Sequence, residues 1–190
     1  MTHKNNIPKI AIATVAFIGI SFGCIVTAWQ QTPTQRVISP IIEVIRPVTP
    51  QKVYYDCPLD KSFQDHIRML CDKNNIPMDL VLAVIEQESS FRPGVVSGDD
   101  YGLMQINKIN HDWLNEKYGI TNFLDPYQNA FCGITMLSEY YHKYQNVNKA
   151  LMAYNIGEFG ARALWEDGVF TTSYTEKVKE KRIKYETRIK

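Results

Sequence analysis

The sequence has few of the features that mark cofactor, metal and nucleic-acid proteins. Its 190 residues carry 21 Lys plus Arg against 20 Asp plus Glu, so a net charge of +1 gives no field that would concentrate nucleic acid. The four cysteines form no Cys-x-x-Cys pair and the four histidines lie far apart, which argues against a zinc module or another local metal site. There is no Gly-x-x-x-x-Gly-Lys loop and no Gly-x-Ser-x-Gly turn. We therefore expect no metal, no organic cofactor and no nucleic-acid partner.

One long apolar segment stands near the N-terminus. Residues 10–28 contain no charged side chain, and Trp29 follows them. As a helix this segment would be about 30 Å long, enough to cross the hydrocarbon core, whereas the apolar part of a signal peptide is usually about 7 to 15 residues. Trp29 is the type of residue that favours the membrane interface. The pattern predicts a transmembrane anchor at 10–29.

The charges before this segment predict its orientation. Lys4 and Lys9 precede it with no acidic residue, which favours a cytoplasmic location for residues 1–9. The remainder of a single-pass protein of the cell membrane would then lie on the extracytoplasmic side. Cleavage after Ala28, which would give a secreted protein, is an alternative that the sequence leaves open.

The composition changes after the apolar segment. Residues 30–55 contain four prolines, a density that breaks helices and favours a semi-rigid extended stalk. The chain as a whole is 45% apolar and 12% aromatic, enough to bury a core in one domain. We predict that this folded domain spans residues 56–190.

Helical signals recur through this domain. Asp60 can cap a helix in which Phe63, Ile67 and Leu70 recur at spacings of four and three, the pattern of one buried face. Asp125–Pro126 is a similar signal for the start of another helix. Gly and Asp are frequent only in residues 92–105, which favours a loop or short hairpin there. The predicted fold class is therefore mainly α. It is a single helical domain whose short hairpin region makes it α+β.

A second helix places a carboxylate at the end of an apolar stripe. Pro77 stands at its start, and Val81, Val84 and Glu88 share one face because they are separated by three and four residues. Desolvation on such a face raises a carboxyl pKa, which is what a general acid requires near neutral pH. Glu86 is about 200° around the helix from Glu88, so these two carboxylates cannot act as a pair on this helix.

Several short motifs occur in a fixed order through the domain. They are Gln87–Phe91 (QESSF), then Ser97, then Gly102–Asn107 (GLMQIN), then Ala153–Gly157 (AYNIG), and finally Tyr174 ahead of Lys177–Val178. Together they resemble the motif set of lytic transglycosylase domains of the soluble-lytic-transglycosylase (SLT) type, and goose-type lysozymes share parts of it. The resemblance covers about residues 59–178 and implies a lysozyme-like fold.

The resemblance also implies an activity and a set of site residues. Glu88 would be the single catalytic acid and base, cleaving the β-1,4 MurNAc–GlcNAc bond of peptidoglycan glycan strands and leaving 1,6-anhydro-MurNAc ends. No second carboxylate accompanies the motifs, so the N-acetyl group of the substrate would stabilise the cationic intermediate. The implied substrate-binding residues are Ser97, Met104, Gln105, Tyr154, Asn155 and Tyr174.

One departure from the family pattern keeps other outcomes open. The segment Ser97–Gly102 is one residue shorter than in many members and carries Asp99 and Asp100, either of which can hold a water molecule. Muramidase action, meaning lysozyme-type hydrolysis, is therefore an alternative, although a turn stabilised by the Asp side chains is favoured. A weakly active peptidoglycan-binding part of a secretion, conjugation or phage apparatus, with envelope-spanning partners, is a further alternative.

Two other features carry weaker expectations. An extracytoplasmic location permits one disulfide among Cys57, Cys71 and Cys132, and the sequence does not select the pair. Residues 176–190 hold seven Lys or Arg against three Glu, a mixture typical of a solvated helical face.

Overall fold

The structure is a computed structural model that describes residues 52–186. Within this range the protein has six helices and a small three-stranded antiparallel sheet, which agrees with the predicted mainly α class. The helices are α1 (Lys61–Asn74), α2 (Met78–Ser89), α3 (His111–Tyr118), α4 (Pro126–Tyr144), α5 (Val147–Glu166) and α6 (Ser173–Glu186). The strands are β1 (Val96–Ser97), β2 (Asp100–Tyr101) and β3 (Ile106–Asn107), and a 3-10 turn covers Lys108–Asn110.

The predicted helix starts are confirmed by their caps. The side chain of Asp60 accepts a hydrogen bond from the backbone N–H of Phe63, and Asp125 accepts one from Gln128. Each bond satisfies a backbone donor that the first helical turn cannot pair. Pro126 opens α4 at the position where the missing N–H of proline costs little.

Helix α2 forms the centre of the core. Val81 and Val84 are fully buried, as the predicted apolar face requires. Helix α2 also packs against α6, and there Glu86 accepts hydrogen bonds from Lys184 and Tyr185 near the C-terminal end of α6, whereas Glu88 accepts one from Tyr174 near its start. Glu86 and Glu88 therefore point to different neighbours, which confirms that they do not form a pair.

The Gly- and Asp-rich segment forms the sheet. Strands β1 and β2 make the expected short hairpin, and β3 adds a third strand in which Asn107 lies opposite Asp100. Gly102 follows β2 with φ of +79°, and a Cβ there would lie 2.4 Å from the Asn129 side chain and 2.5 Å from the Phe123 carbonyl oxygen. Only glycine fits this close approach, which holds the sheet against the start of α4.

Helices α5 and α6 each have a feature that the sequence did not predict. Helix α5 is interrupted at Gly157, whose φ of 76° and ψ of 154° are not helical. Helix α6 begins within the motif containing Tyr174 and buries Tyr174, Thr175, Val178 and Tyr185. As far as Glu186, the basic C-terminal run is therefore helical as predicted, but one of its faces belongs to the core rather than to solvent.

Other expectations fall on the cysteines and the N-terminus. Cys57, Cys71 and Cys132 are all free, so the disulfide that the sequence permitted does not form among the described cysteines. The predicted anchor at 10–29 and most of the stalk lie outside the described residues. Within residues 52–186, no helix combines the length and the apolarity needed to cross a membrane.

Candidate active site

A cleft of about 430 Å³ lies where α2, the sheet, α4 and α5 meet. Four of the residues that line it were predicted as site residues: Glu88, Gln105, Tyr154 and Asn155. The remaining walls are made by the strand and 3-10 residues Asp100, Ile106, Asn107, Ile109 and Asn110, by Met136 and Tyr140 of α4, and by Ala153, Ile156 and Gly157 of α5. Segments distant in sequence thus converge on one carboxyl group.

Glu88 is held at the end of α2 by its surroundings. The next residue, Ser89, is buried, and its hydroxyl donates to the carbonyl oxygen of Leu103 at 2.8 Å, which joins the helix end to the sheet region. The hydroxyl of Tyr174 donates to Glu88 Oε1 at 2.5 Å. Burial raises the pKa of Glu88 to about 7, the Tyr174 bond acts in the opposite direction, and the charge of Asp100 adds to the increase. A carboxyl group with this pKa is well suited to give up and take back a proton near neutral pH.

The two tyrosines of the motifs have different partners. Tyr174, from α6, contacts the carboxylate directly, whereas the hydroxyl of Tyr154 donates to the carbonyl oxygen of Met104 at 2.8 Å. Burial, followed by the charge of Glu88, holds the pKa of Tyr154 well above its usual value, so this hydroxyl stays protonated as a donor. Tyr154 therefore fixes the cleft wall, and Tyr174 positions Glu88.

A second carboxylate faces the same cleft. Asp100 on β2 accepts a hydrogen bond from Asn107 Nδ2 at 2.8 Å across the sheet, and its charge contributes to the raised pKa of Glu88. Asp99 is exposed, does not line the cleft, and offers its carbonyl oxygen to Lys108 at 2.7 Å. Ser97–Gly102, the segment that differs from the family pattern, thus contains two acidic residues, and of these only Asp100 lines the cleft.

Only some of the other predicted site residues line the cleft. Gln105 lines the cleft in a left-handed conformation, with φ of 48°, and its Nε2 donates to the carbonyl oxygen of Gly102 at 2.7 Å. Asn155 is exposed on the cleft wall. Ser97 lies exposed on β1 outside the cleft, and the side chain of Met104 is fully buried against Gly133. The structure thus brings two of these four side chains to the cleft and leaves two away from it.

Sequence reasoning missed Asn129, the residue that ties the sheet to α4. Its fully buried amide accepts from the Met104 N–H at 2.7 Å and donates to the carbonyl oxygens of Tyr101 at 2.7 Å and Phe123 at 2.8 Å. A signal was present, because Gly133 lies four residues later in the middle of a helix, where glycine often marks a close approach of another segment. Asn129 shares that helix face and holds the segment behind the cleft wall.

Comparisons with known proteins agree with this arrangement. The transglycosylase of Enterobacteria phage PRD1 is 39% identical over 105 residues, which cover 55% of this chain and 37% of the relative. The membrane-bound lytic murein transglycosylase F of Desulfosudis oleivorans is 30% identical over 115 residues, 56% of this chain and 24% of that protein. The chain thus spans well under half the length of these relatives.

A solved structure shares the fold. The 70 kDa soluble lytic transglycosylase of Escherichia coli superposes with a TM-score of 0.56 at 23% identity, covering 65% of this chain and 24% of the larger protein. This likeness shows that the helical domain has the lysozyme-like architecture expected from the motifs. The family model described as "Transglycosylase SLT domain" matches residues 65–173, more than half of the chain. The chain therefore belongs to the transglycosylase SLT domain family.

Proposed function

We propose that this protein is a peptidoglycan lytic transglycosylase that cleaves the β-1,4 bond between MurNAc and GlcNAc with Glu88 as its only acid and base. The observation that carries the proposal is a cleft whose carboxyl group has a pKa raised by burial to about 7. Family membership and the names of two relatives, a transglycosylase and a lytic murein transglycosylase, support the choice of reaction and substrate.

In the first step, protonated Glu88 donates its proton to the glycosidic oxygen. The bond between this oxygen and C1 of MurNAc breaks, and the carbonyl oxygen of the substrate's own N-acetyl group stabilises the positive charge at C1. Proton transfer from a positioned side chain accelerates such a step by about 10²- to 10⁴-fold. Tyr174 holds the carboxyl group in place through its 2.5 Å hydrogen bond.

In the second step, the ionised Glu88 acts as the base. It takes the proton of the MurNAc C6 hydroxyl, whose oxygen attacks C1 and closes the 1,6-anhydro ring. The proton returns to Glu88, so the enzyme is restored and no water is consumed. Gln105 and Asn155 line the cleft with amide groups suited to the acetamido and hydroxyl groups of the sugars.

Asp100 supports a second candidate, a muramidase that hydrolyses the same bond. Ordinary glycosidases use two carboxyl groups, one as acid and the other as nucleophile or base. Asp100 lies in the cleft with Glu88 and is oriented by Asn107, so it is the one residue of the described cleft able to take the second role. Transglycosylation is favoured because it requires only Glu88 and agrees with the family.

The products of digestion distinguish the two candidates. Purified peptidoglycan treated with the full-length protein is expected to release anhydro-muropeptides, detected by mass spectrometry as products one water lighter than hydrolytic ones. The Asp100→Asn variant is expected to release the same products. Reducing muramic ends that disappear in Asp100→Asn would contradict the proposal and establish the muramidase.

The hydrogen bond from Tyr174 gives the reaction a testable pH dependence. Activity that requires protonated Glu88 falls as the pH rises through the pKa of about 7. The bond favours the ionised carboxylate, so Tyr174→Phe is expected to raise that pKa further and move the alkaline limb of kcat/KM to higher pH. The maximal rate should fall by about 10- to 150-fold, the effect of losing one hydrogen bond to a charged group that contributes about 1.5–3 kcal/mol.

Tyr154→Phe is the matched control for this measurement. It removes a hydroxyl that bonds to the Met104 carbonyl and not to Glu88, so the alkaline limb of the kcat/KM profile should stay at the same pH. A limb that does not move in Tyr174→Phe, or moves equally in both variants, would show that the acid in the pH profile is not Glu88 held by Tyr174.

We propose that the protein is located in the cell membrane, as its sequence indicates. The segment at 10–29 would anchor it in the cell membrane and place the cleft on the extracytoplasmic side, where peptidoglycan lies. One relative is described as membrane-bound, which supports the proposed anchor.

A further inference from the structure

Helix α5 is interrupted where it forms a wall of the cleft. Asn155, Ile156 and Gly157 line the cleft, and Gly157 has φ of 76° and ψ of 154°. Essentially only glycine adopts this backbone conformation. A Cβ at Gly157 would meet no atom within 4 Å, so glycine is required here by the backbone conformation and not by crowding. The break therefore lies in the cleft wall itself, close to Asn155.

The break separates Phe159 from the residue that it would cover in a continuous helix. In an unbroken α-helix, side chains four residues apart are neighbours, and each lies over the turn before its own Cα. Phe159 would then lie over Asn155 and cover its amide. In the structure Phe159 is 91% exposed, so its ring lies against almost nothing. The interrupted form of α5 thus leaves Asn155 open to a ligand in the cleft.

Glu158, the first residue after the break, is held by three side chains. Its carboxylate accepts hydrogen bonds from Tyr144 at 2.5 Å, Lys143 at 2.6 Å and Arg162 at 3.0 Å. Bonds from Lys143 first, and then from Tyr144, lower the pKa of Glu158 to about 2, so it is ionised at neutral pH. Hydrogen bonds to an ionised acceptor are about twice as strong as those between neutral groups. Glu158 is therefore firmly attached to its partners.

Two of these partners belong to a different helix. Arg162 is four residues after Glu158 on α5, and such a pair forms along any helix surface. Lys143 and Tyr144 are the last two residues of α4, so their bonds connect the part of α5 after the break to α4. The Tyr144 ring is itself fixed, because it meets Trp165 edge to face with centroids 4.8 Å apart. Glu158 thus sets the direction in which α5 continues after the break.

We propose that Glu158 is a positioning residue for substrate binding. By attaching α5 to the end of α4, it keeps the helix interrupted and keeps Phe159 away from Asn155. The competing conformation is a continuous helix, because glycine is also tolerated within helices. Without the attachment, α5 would straighten through Gly157 and Phe159 would cover the Asn155 amide. The inference rests on the proposed function for its ligand, a glycan strand of peptidoglycan.

The test measures binding of peptidoglycan glycan strands, freed of their peptides by an amidase, to the full-length protein in detergent. Every sample carries Glu88→Gln so that no strand is cleaved. Adding Glu158→Gln is expected to raise the dissociation constant about two- to tenfold, the effect of losing one hydrogen bond to the ligand. Adding Phe159→Ala to that variant should restore the affinity of the parent, because a straight helix then has no ring to cover Asn155.

Gly157→Ala tests the break directly. Alanine does not adopt φ of 76° with ψ of 154° without strain, so this variant should also weaken binding, and Phe159→Ala should again restore it. Gly160→Ala is the matched control, because Gly160 has helical backbone angles and a Cβ there would make only an ordinary contact with Ile156 at 3.7 Å. It should leave binding unchanged.

Two further variants complete the comparison. Glu166→Gln is the control for loss of charge, because Glu166 is exposed at the end of the same helix and does not line the cleft. It should bind like the parent. Tyr144→Phe removes one bond to Glu158 and should weaken binding less than Glu158→Gln, so it decides the question if the melting temperature shows that Glu158→Gln is unfolded.

Two results would overturn the inference. One is a Glu158→Gln variant that is folded and binds strands as tightly as the parent. The other is a loss of affinity that persists when Phe159→Ala is added, because Glu158 would then act on the cleft in some way other than by keeping the Phe159 ring away.

These binding measurements do not depend on the reaction, so they distinguish this inference from the proposed function. Protein containing Glu88 that releases anhydro products, while Glu158→Gln leaves binding unchanged, would refute only the role of Glu158. Protein that cleaves no strand, but whose affinity falls in Glu158→Gln and recovers with Phe159→Ala, would refute the proposed reaction and support the positioning role. Strands that do not bind even the parent would refute both.

Discussion

Replacing Glu88 with Gln is expected to lower kcat for peptidoglycan cleavage by about 10²- to 10⁴-fold, the contribution of a positioned general acid. Gln has nearly the same size, so the cleft and its Tyr174 contact remain, but it has no acidic proton to donate and cannot act as a base. The measurement is the initial rate of muropeptide release at pH 6 to 7, with the melting temperature recorded to confirm folding. Release equal to that of the unaltered protein would refute the enzyme proposal and favour a glycan-binding module.

Glu86→Gln is the matched control on the same helix. Glu86 lies two residues away but does not line the cleft, and it accepts hydrogen bonds from Lys184 at 2.9 Å and from Tyr185, both near the C-terminal end of α6. This variant loses a carboxylate of the same kind without touching the cleft, so kcat should remain close to that of the unaltered protein. A loss as large as that of Glu88→Gln would mean that the effect comes from helix α2 as a whole and not from the acid in the cleft.

Replacing Asn129 with Ala is expected to reduce the free energy of unfolding by about 3–5 kcal/mol. The substitution leaves three backbone groups without their partner, the buried Met104 N–H and the partly buried carbonyl oxygens of Tyr101 and Phe123, and an unpaired buried group costs about 1–3 kcal/mol. The values are not additive because water and local relaxation recover part of the loss. Denaturant unfolding followed by circular dichroism measures the effect.

Asn155→Ala removes the same amide from an exposed position and serves as the control. Its stability should change by no more than about 0.5 kcal/mol, because surface substitutions away from special features have small effects. Asn155 lines the cleft, so its change should appear in KM instead. Equal stability of the two variants would show that Asn129 does not hold the sheet to α4.

Local signals in the sequence predicted much of the helical framework. The caps at Asp60 and Asp125 and the spacing of Phe63, Ile67 and Leu70 depend on residues within one or two turns, and the structure confirms them. Helix α3 was not predicted, because only Leu114 of its eight residues is buried and its sequence has no apolar stripe. The inward face of α6 was also missed, since its few buried residues are embedded among many charges.

The site was predictable in its residue types but not in its contacts. The end of an apolar face marked Glu88 from the sequence, while the identity of the hydroxyl that holds it depends on a contact across 86 residues. The resemblance implied both Tyr154 and Tyr174 as site residues. Only the fold shows that Tyr174 is the one that bonds the Glu88 carboxylate. In the same way, only the pairing of β2 with β3 distinguishes Asp100 from its neighbour Asp99.

The free cysteines bear on how the protein can be made and stored. Burial raises the pKa of both Cys71 and Cys132 to about 12, so at neutral pH almost none of either thiol is in the reactive thiolate form. The folded domain, within its described residues, contains no covalent crosslink that an oxidising catalyst would have to install. It should therefore reach the same stability in a reducing cytosol as outside the cell, and its two buried thiols should resist alkylation until the chain unfolds.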